Sequence, residues 1–198
     1  MRERNAMLLA AGYAPTYRQT PLDGAVMAPV RDALEKILGG HEPFPAVVVD
    51  RTWDLVSGNR PAMAILTDGV APQLLAAPNA MRVSLHPDGL APRIVNFDEW
   101  SAHLMERLHR QFAASGDPDL AALIDELRAY PGVSEGAGAA AVDPAAQLFV
   151  PLVLEVGGQE LRFFSTLATF GTALDITIAE LSIESFFPAD EATAAALR

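Results

Sequence analysis

Residues 148–170 read LFVPLVLEVGGQELRFFSTLATF, two apolar runs on either side of Gly157-Gly158-Gln159. A short glycine-containing connection between such runs predicts a β-hairpin, with 148–156 paired to 160–170. Successive side chains on a strand point to opposite faces, so Phe163, Ser165 and Leu167 share one face and Phe164, Thr166, Ala168 and Phe170 the other. Further on, Leu174, Ile176 and Ile178 alternate while Leu181 and Ile183 fall on the opposite parity. This predicts a third strand interrupted by a bulge, although Leu174, Ile178 and Leu181 also fit helical spacing. Five of the nine phenylalanines lie between residues 163 and 188. Close-packed interiors make a filled core the default for them. Small residues between the large ones, Ser165, Thr166 and Ala168, are the places where space would be left.

Upstream, PFPAVVVDRTWDLVSGNRPAMAIL (43–66) holds a second hairpin. Ala46-Val49 is a β-branched run, Asp50-Arg51-Thr52 has turn chemistry, and Trp53-Val56 alternates before Gly58-Asn59 breaks the strand. Trp53 is expected to be at least half buried there. Asn59 is placed to cap the next helix, with Pro61 in its first turn. Ahead of this hairpin, Val26 to Leu38 reads as an amphipathic helix on Val30, Leu34, Ile37 and Leu38, closed by Gly39-Gly40. Residues 2–11 read as a helix with Leu8 and Leu9 on an apolar side and Gly12 as its stop. Ala14-Pro15 and Thr20-Pro21 then form a linker. Between 61 and 130 the pattern is helical, broken by Pro72, Pro78, Pro87 and Pro92; the clearest helices are Phe97–Ala114 and the one opened by Asp117-Pro118 and running to Tyr130. Gly132 to Pro144 is an Ala/Gly-rich loop. Two strands, several helices and three strands predict an α+β fold: a five-stranded antiparallel sheet with helices covering one face. That is the element order of a PAS-type sensor domain.

Composition excludes several functions. The chain has 198 residues, enough for one domain with a sizeable core, and no cysteine, so thiol catalysis, disulfides and thiolate zinc sites are out. A net charge of −11, with Lys36 the only lysine, repels a phosphate backbone. Basic side chains gather only near the start, at Arg2, Arg4 and Arg18. No apolar run approaches the roughly 20 residues of a membrane helix, and the first residues lack the pattern of a secretory signal. A cytoplasmic protein is expected.

Motifs with chemical meaning are weak. Gly132-Val133-Ser134-Glu135-Gly136 matches G-x-S-x-G, but a helix precedes it where a strand is needed, and the last histidine, His109, comes before the serine rather than after it. Glu99, His103 and Glu106 share one helix face, which also describes a solvated face making ordinary i,i+3 and i,i+4 contacts. Gly136-Ala137-Gly138 lacks the strand and third glycine of a pyrophosphate cradle. Neither an enzyme, a metal site nor a cofactor is expected.

Longer stretches carry a resemblance. RERNAMLLAAGYAP followed by Pro21-Leu22 resembles the closing helix and exit linker of the helix-turn-helix module in actinobacterial Xre-type regulators. VVVDRTWDLVSGNRPAM resembles the start of the MmyB-like regulator ligand-binding domain, and MRVSLHPDG, EWSAHLMERLHRQ, DPDLAALIDELRAYPG and FFSTLATFGTALDITIAELSIESFFPADEATA look like its remainder. Where many members have a W-x-x-H-type stretch, this chain has the Ala/Gly loop at 133–146. The resemblance implies residues 1–25 as the end of the helix-turn-helix module plus linker and 26–198 as a PAS-like ligand-binding domain. It also implies a homodimeric transcription regulator that meets DNA only through reading helices absent from this chain. Its effector would be a small apolar ligand such as a fatty acid, held between sheet and helices. The expected lining is Trp53, Met63, Leu66, Leu104, Leu108, Phe163 and Phe170. For a carboxylate head group Arg107 is the first choice, since Leu104 and Leu108 adjoin it and a guanidinium binds carboxylates bidentately; Arg82 and His86 come next. The competing reading is a ligand-free PAS-like protein–protein interaction module.

Overall fold

The computed structural model describes residues 1–134 and 150–198. Gly136-Ala137-Gly138, most of the Ala/Gly loop, and the predicted strand start at Leu148 and Phe149 lie outside the described residues. Helix α1 (Arg2–Ala10) leads through a 3-10 turn at Ala25–Met27 into α2 (Ala28–Gly40) and then strands β1 (Ala46–Val49) and β2 (Leu55–Gly58). Helices α3 (Arg60–Thr67), α4 (Pro72–Ala76), α5 (Ala80–Leu85), α6 (Phe97–Ser115) and α7 (Pro118–Arg128) follow. The chain closes with β3 (Leu152–Val156), β4 (Gln159–Thr169), a single helical turn α8 (Ile176–Ala179), β5 (Ser182–Pro188) and α9 (Glu191–Ala196).

All five strands pair antiparallel in the order β2-β1-β5-β4-β3. The α+β class and the antiparallel sheet expected from the sequence are what form. The β3–β4 hairpin closes through Gly157 and Gly158 alone, with Val156 facing Gln159. Both glycines have positive φ, 59° and 79°, the twist that two-residue hairpin turns require.

Three local expectations are corrected. Trp53 is not a strand residue: it occupies the β1–β2 turn at φ 69°. Asp50 forces this, because its Oδ1 accepts from the backbone N–H of Thr52 and of Asp54, both at 2.9 Å, and its carbonyl accepts from Trp53 N–H. The strand predicted from Leu174 begins only at Ser182. Before it, Asp175 accepts from Thr177 N–H and caps one helical turn, which explains the parity switch that suggested a bulge. The sheet's irregularity lies instead in the first hairpin, between Val48 and Val49.

Period-two alternation sorts β1 between two cores. Val47 and Val49 join the larger one, formed with α3 and α5–α7, while Ala46 and Val48 join Leu34 and Leu38 of α2 on the opposite sheet face. The helices of 60–128 therefore cover one face as expected, and α2 lies against the back of β1 and β5. Leu34 and Leu38 are buried, whereas Ile37 is exposed. Two buried asparagines fix the front layer. Asn59 Oδ1 accepts from Ala62 N–H and Ala46 N–H, while its Nδ2 donates to the carbonyls of Leu38 and Phe44. Asn79 Oδ1 caps α5 at Met81 and Arg82, and its Nδ2 donates to Thr52 O and Asp54 Oδ1. The turn that carries Trp53 is thus tied to the helix across from it.

Candidate functional site

A hollow of about 240 Å³ lies between the front face of the sheet and α3, α5 and α6. Its floor is Val47, Leu55, Leu152, Leu154, Phe163, Glu184 and Phe186; its roof includes Met63, Leu66, Met81, Leu90, Trp100 and Leu104; Trp53 closes one end. The register explains the floor. Leu152 pairs with Phe163, Phe163 faces the front with Ser165, and Glu184 and Phe186 alternate on the same side of β5. Phe163 is 2% exposed and meets Phe186 edge-on, with centroids 6.4 Å apart. Exposed Thr67 belongs to the wall, so the hollow reaches the surface at the end of α3.

Of the residues chosen from sequence, Trp53, Met63, Leu66, Leu104 and Phe163 come together around the hollow. Leu108 is fully buried in the same core but is not part of the wall. Phe170, the residue after β4, packs behind the sheet with Leu34, Leu38 and Ile183, continuing the even-numbered positions that face the back.

The three cations are placed differently from what a head-group role requires. Arg107 Nη1 donates to Glu184 Oε1 at 3.0 Å, and the guanidinium lies 4.3 Å from the centroid of the Trp53 ring. Ser165 Oγ donates to the same Oε1 at 2.9 Å. Trp53 Nε1 donates to Gln111 Oε1, and Gln111 Nε2 donates to Arg51 O. Arg107 therefore spends its charge on a carboxylate of the protein itself. Arg82 grips Glu126 through Nε and Nη2, both at 2.9 Å to the nearer oxygen, and Tyr130 Oη donates to Glu126 Oε1 at 2.6 Å. His86 packs edge-on against Tyr130 and takes Asp88 N–H on Nδ1. This second cluster joins α5 to α7 and contributes nothing to the wall of the hollow. The Arg82 hydrogen bond holds the Glu126 carboxyl below its usual range, while burial and then Glu126 push the Tyr130 phenol up.

Sequence reasoning missed Trp100, Glu184 and Phe186. Trp100 had a signal: with Leu104 and Leu108 it forms an i, i+4, i+8 stripe on α6, and all three are buried. Glu184 and Phe186 were hidden by the mistaken strand start, which scrambled the alternation.

Glu99 and Glu106 are exposed and take local partners, Asn96 and Arg110. His103 stacks on Trp100, and burial, then Arg107 and Arg110, keep its imidazole below the usual histidine pKa. Among the described residues no group of three or more His, Asp or Glu is arranged to hold a metal ion, and no helix is long and apolar enough to cross a membrane. Ser134 donates its backbone N–H to Ser101 Oγ.

An apolar hollow beneath a layer of helices, on a five-stranded antiparallel sheet, is the geometry of a ligand-sensing domain. Residues 30–198 match the MmyB-like transcription regulator ligand binding domain. The chain belongs to this family. A comparison with curated proteins finds no significant match. The MmyB-like assignment makes the chain a ligand-binding, regulatory domain of a transcription regulator.

Proposed function

We propose that this MmyB-like domain senses a small apolar effector bound in the hollow between sheet and helices, and carries no enzymatic activity. The observation that carries the reading is the cavity itself: about 240 Å³ left among Leu, Met, Trp and Phe side chains, where close packing would leave almost none. A roughly 150 Å³ apolar cavity accepts a benzene-sized molecule. On that scale this one takes about ten non-hydrogen atoms, the size of a medium-chain fatty acid or a relative of one. Each methylene placed there gains about 0.8 kcal/mol, so the chain supplies the affinity and the head group the selectivity. The competing reading, a filled interaction module, is disfavoured by the same empty volume.

The domain acts in the cytoplasm as part of a homodimeric helix-turn-helix regulator, because a two-fold operator is met by two copies of a reading module. Effector binding changes the balance between two arrangements of the dimer. A route from the hollow to α1 supports this. Trp53 is two residues from Arg51, which pairs with Asp117, the cap of α7, and with Asp119 in its first turn and approaches Glu180, and Glu180 holds Arg2 bidentately at 2.8 Å. Native mass spectrometry on protein purified from cells is the test. A dimer mass carrying an extra lipid-sized component supports the reading. A protein that co-purifies with nothing and gains no thermal stability from any medium-chain amphiphile refutes it.

A further inference from the structure

The head-group chemistry of the effector can be read from the polar atoms of the wall, and this step rests on the hollow being the effector site. Among the described residues Glu184 is the only charged side chain in the wall, and it is a carboxylate. It is 6% exposed. Its Oε1 accepts from both Arg107 and Ser165, which leaves Oε2 with no protein donor among the described residues. Trp100 is the other telling group. It forms part of the wall, is 4% exposed, and its Nε1–H is buried without any hydrogen-bond partner. A buried donor without a partner is rare in a native interior and calls for an explanation. The remaining polar groups offer less. Asn79 uses both ends of its amide inside the protein, and Thr67 Oγ1 donates to the Met63 carbonyl.

The surroundings of the hollow therefore hold an unpartnered buried donor, the Trp100 Nε1–H, an under-used acceptor, Glu184 Oε2, and the Ser84 hydroxyl of the wall, and the cation nearest that acceptor is already neutralised by it. A ligand carboxylate drawn inside, past the mouth at Thr67, would meet Glu184 and no free positive charge in the wall, and burying an unpaired anion is far costlier than burying a hydroxyl. We propose that the effector is a neutral amphiphile whose head both donates and accepts a hydrogen bond, a hydroxyl or primary amide on a medium-length apolar chain, with Trp100 and Glu184 as its selectivity residues. The free fatty acid of the same chain is the molecule this site discriminates against.

Isothermal titration of the full chain near neutral pH with 1-octanol, octanamide, ionised octanoate and octane tests this. Octanol and octanamide are expected to bind at least about tenfold more tightly than octanoate, a difference of about 1.4 kcal/mol. Trp100→Phe keeps a ring in the wall but removes the donor, so it should weaken octanol and octanamide several-fold and leave octane unchanged. Glu184→Gln removes the charge while keeping an acceptor for Arg107 and Ser165, so it should raise octanoate affinity relative to octanol. Octanoate binding the unmodified protein as tightly as octanol overturns the head-group assignment and leaves the effector site standing. Equal losses for octane and octanol in Trp100→Phe remove Trp100 from the head-group role. Failure of all four compounds to bind overturns the site and the inference together.

Discussion

Replacing Trp53 separates side-chain packing from backbone strain. The residue is 4% exposed, stacks under Arg107, donates to Gln111 and closes one end of the hollow. Removing a large buried aromatic costs about 3–5 kcal/mol. Here one side of the ring already borders empty space, so fewer packed contacts are lost and Trp53→Ala falls near the lower end, about 3 kcal/mol. The φ of 69° adds a second effect. A left-handed backbone costs a residue with a Cβ about 1–2 kcal/mol, and alanine bears that cost as tryptophan does. Glycine does not, although its freer unfolded chain offsets about 0.4–1 kcal/mol. Trp53→Gly should therefore be more stable than Trp53→Ala by roughly 0.5–1 kcal/mol, the reverse of the order found within helices and strands. Urea denaturation of the three proteins reads both quantities. A glycine variant no more stable than the alanine variant refutes the strain argument, and a loss below about 1 kcal/mol for Trp53→Ala refutes the packing argument.

Other outcomes follow from the charged clusters. Arg107→Met should destabilise the protein by about 3 kcal/mol, because it leaves the Glu184 carboxylate buried and unpaired, and Arg107→Met with Glu184→Leu should recover most of that loss in a double-mutant cycle. The Tyr130 phenol should ionise at higher pH than an exposed tyrosine, visible in ultraviolet difference spectra, and Glu126→Gln should bring it down. His103 is held below the usual histidine pKa, so on acidification the unfolded chain binds its proton first; stability should fall as pH drops through the histidine range, and His103→Gln should flatten the fall when denaturation is compared at about pH 7.5 and about pH 5.5. With a net charge of −11, residues 1–198 should show no sequence-specific DNA binding at physiological salt in gel-shift titrations against the adjacent promoter; sub-micromolar specific binding would contradict this.

Local chemistry was legible in the sequence where it acts through near neighbours. Asn59 as a cap, a glycine-containing hairpin turn at 157–159, which the structure shortens to Gly157-Gly158, and the α6 helix all follow from signals a few residues long. The partition of the β4 side chains was also legible, because Phe163 and Phe170 differ in parity and parity alone puts them on opposite faces, yet the expected lining included both and Phe170 did not belong there. What was not legible depended on distant partners. Arg107 looked available because Glu184 was hidden in a misplaced strand, and Arg82 looked available because Glu126 lies on a different helix. A guanidinium in a sequence reveals its charge but not the carboxylate it has already met.

The strand order has a consequence for how this sensor is made. β5 lies between β1 and β4, so the first hairpin to leave the ribosome keeps the β1 edge unpaired until nearly the whole chain has been synthesised. The hollow has no complete floor before Ser182–Pro188 inserts, and no effector can be held by a nascent or C-terminally clipped chain. Such a chain exposes an unpaired edge of Ala46–Val49, the kind of β-branched segment that recruits other strands. A ribosome stall or a protease cut a few residues short of β5 would therefore yield not a constitutive regulator but one prone to aggregation and removal.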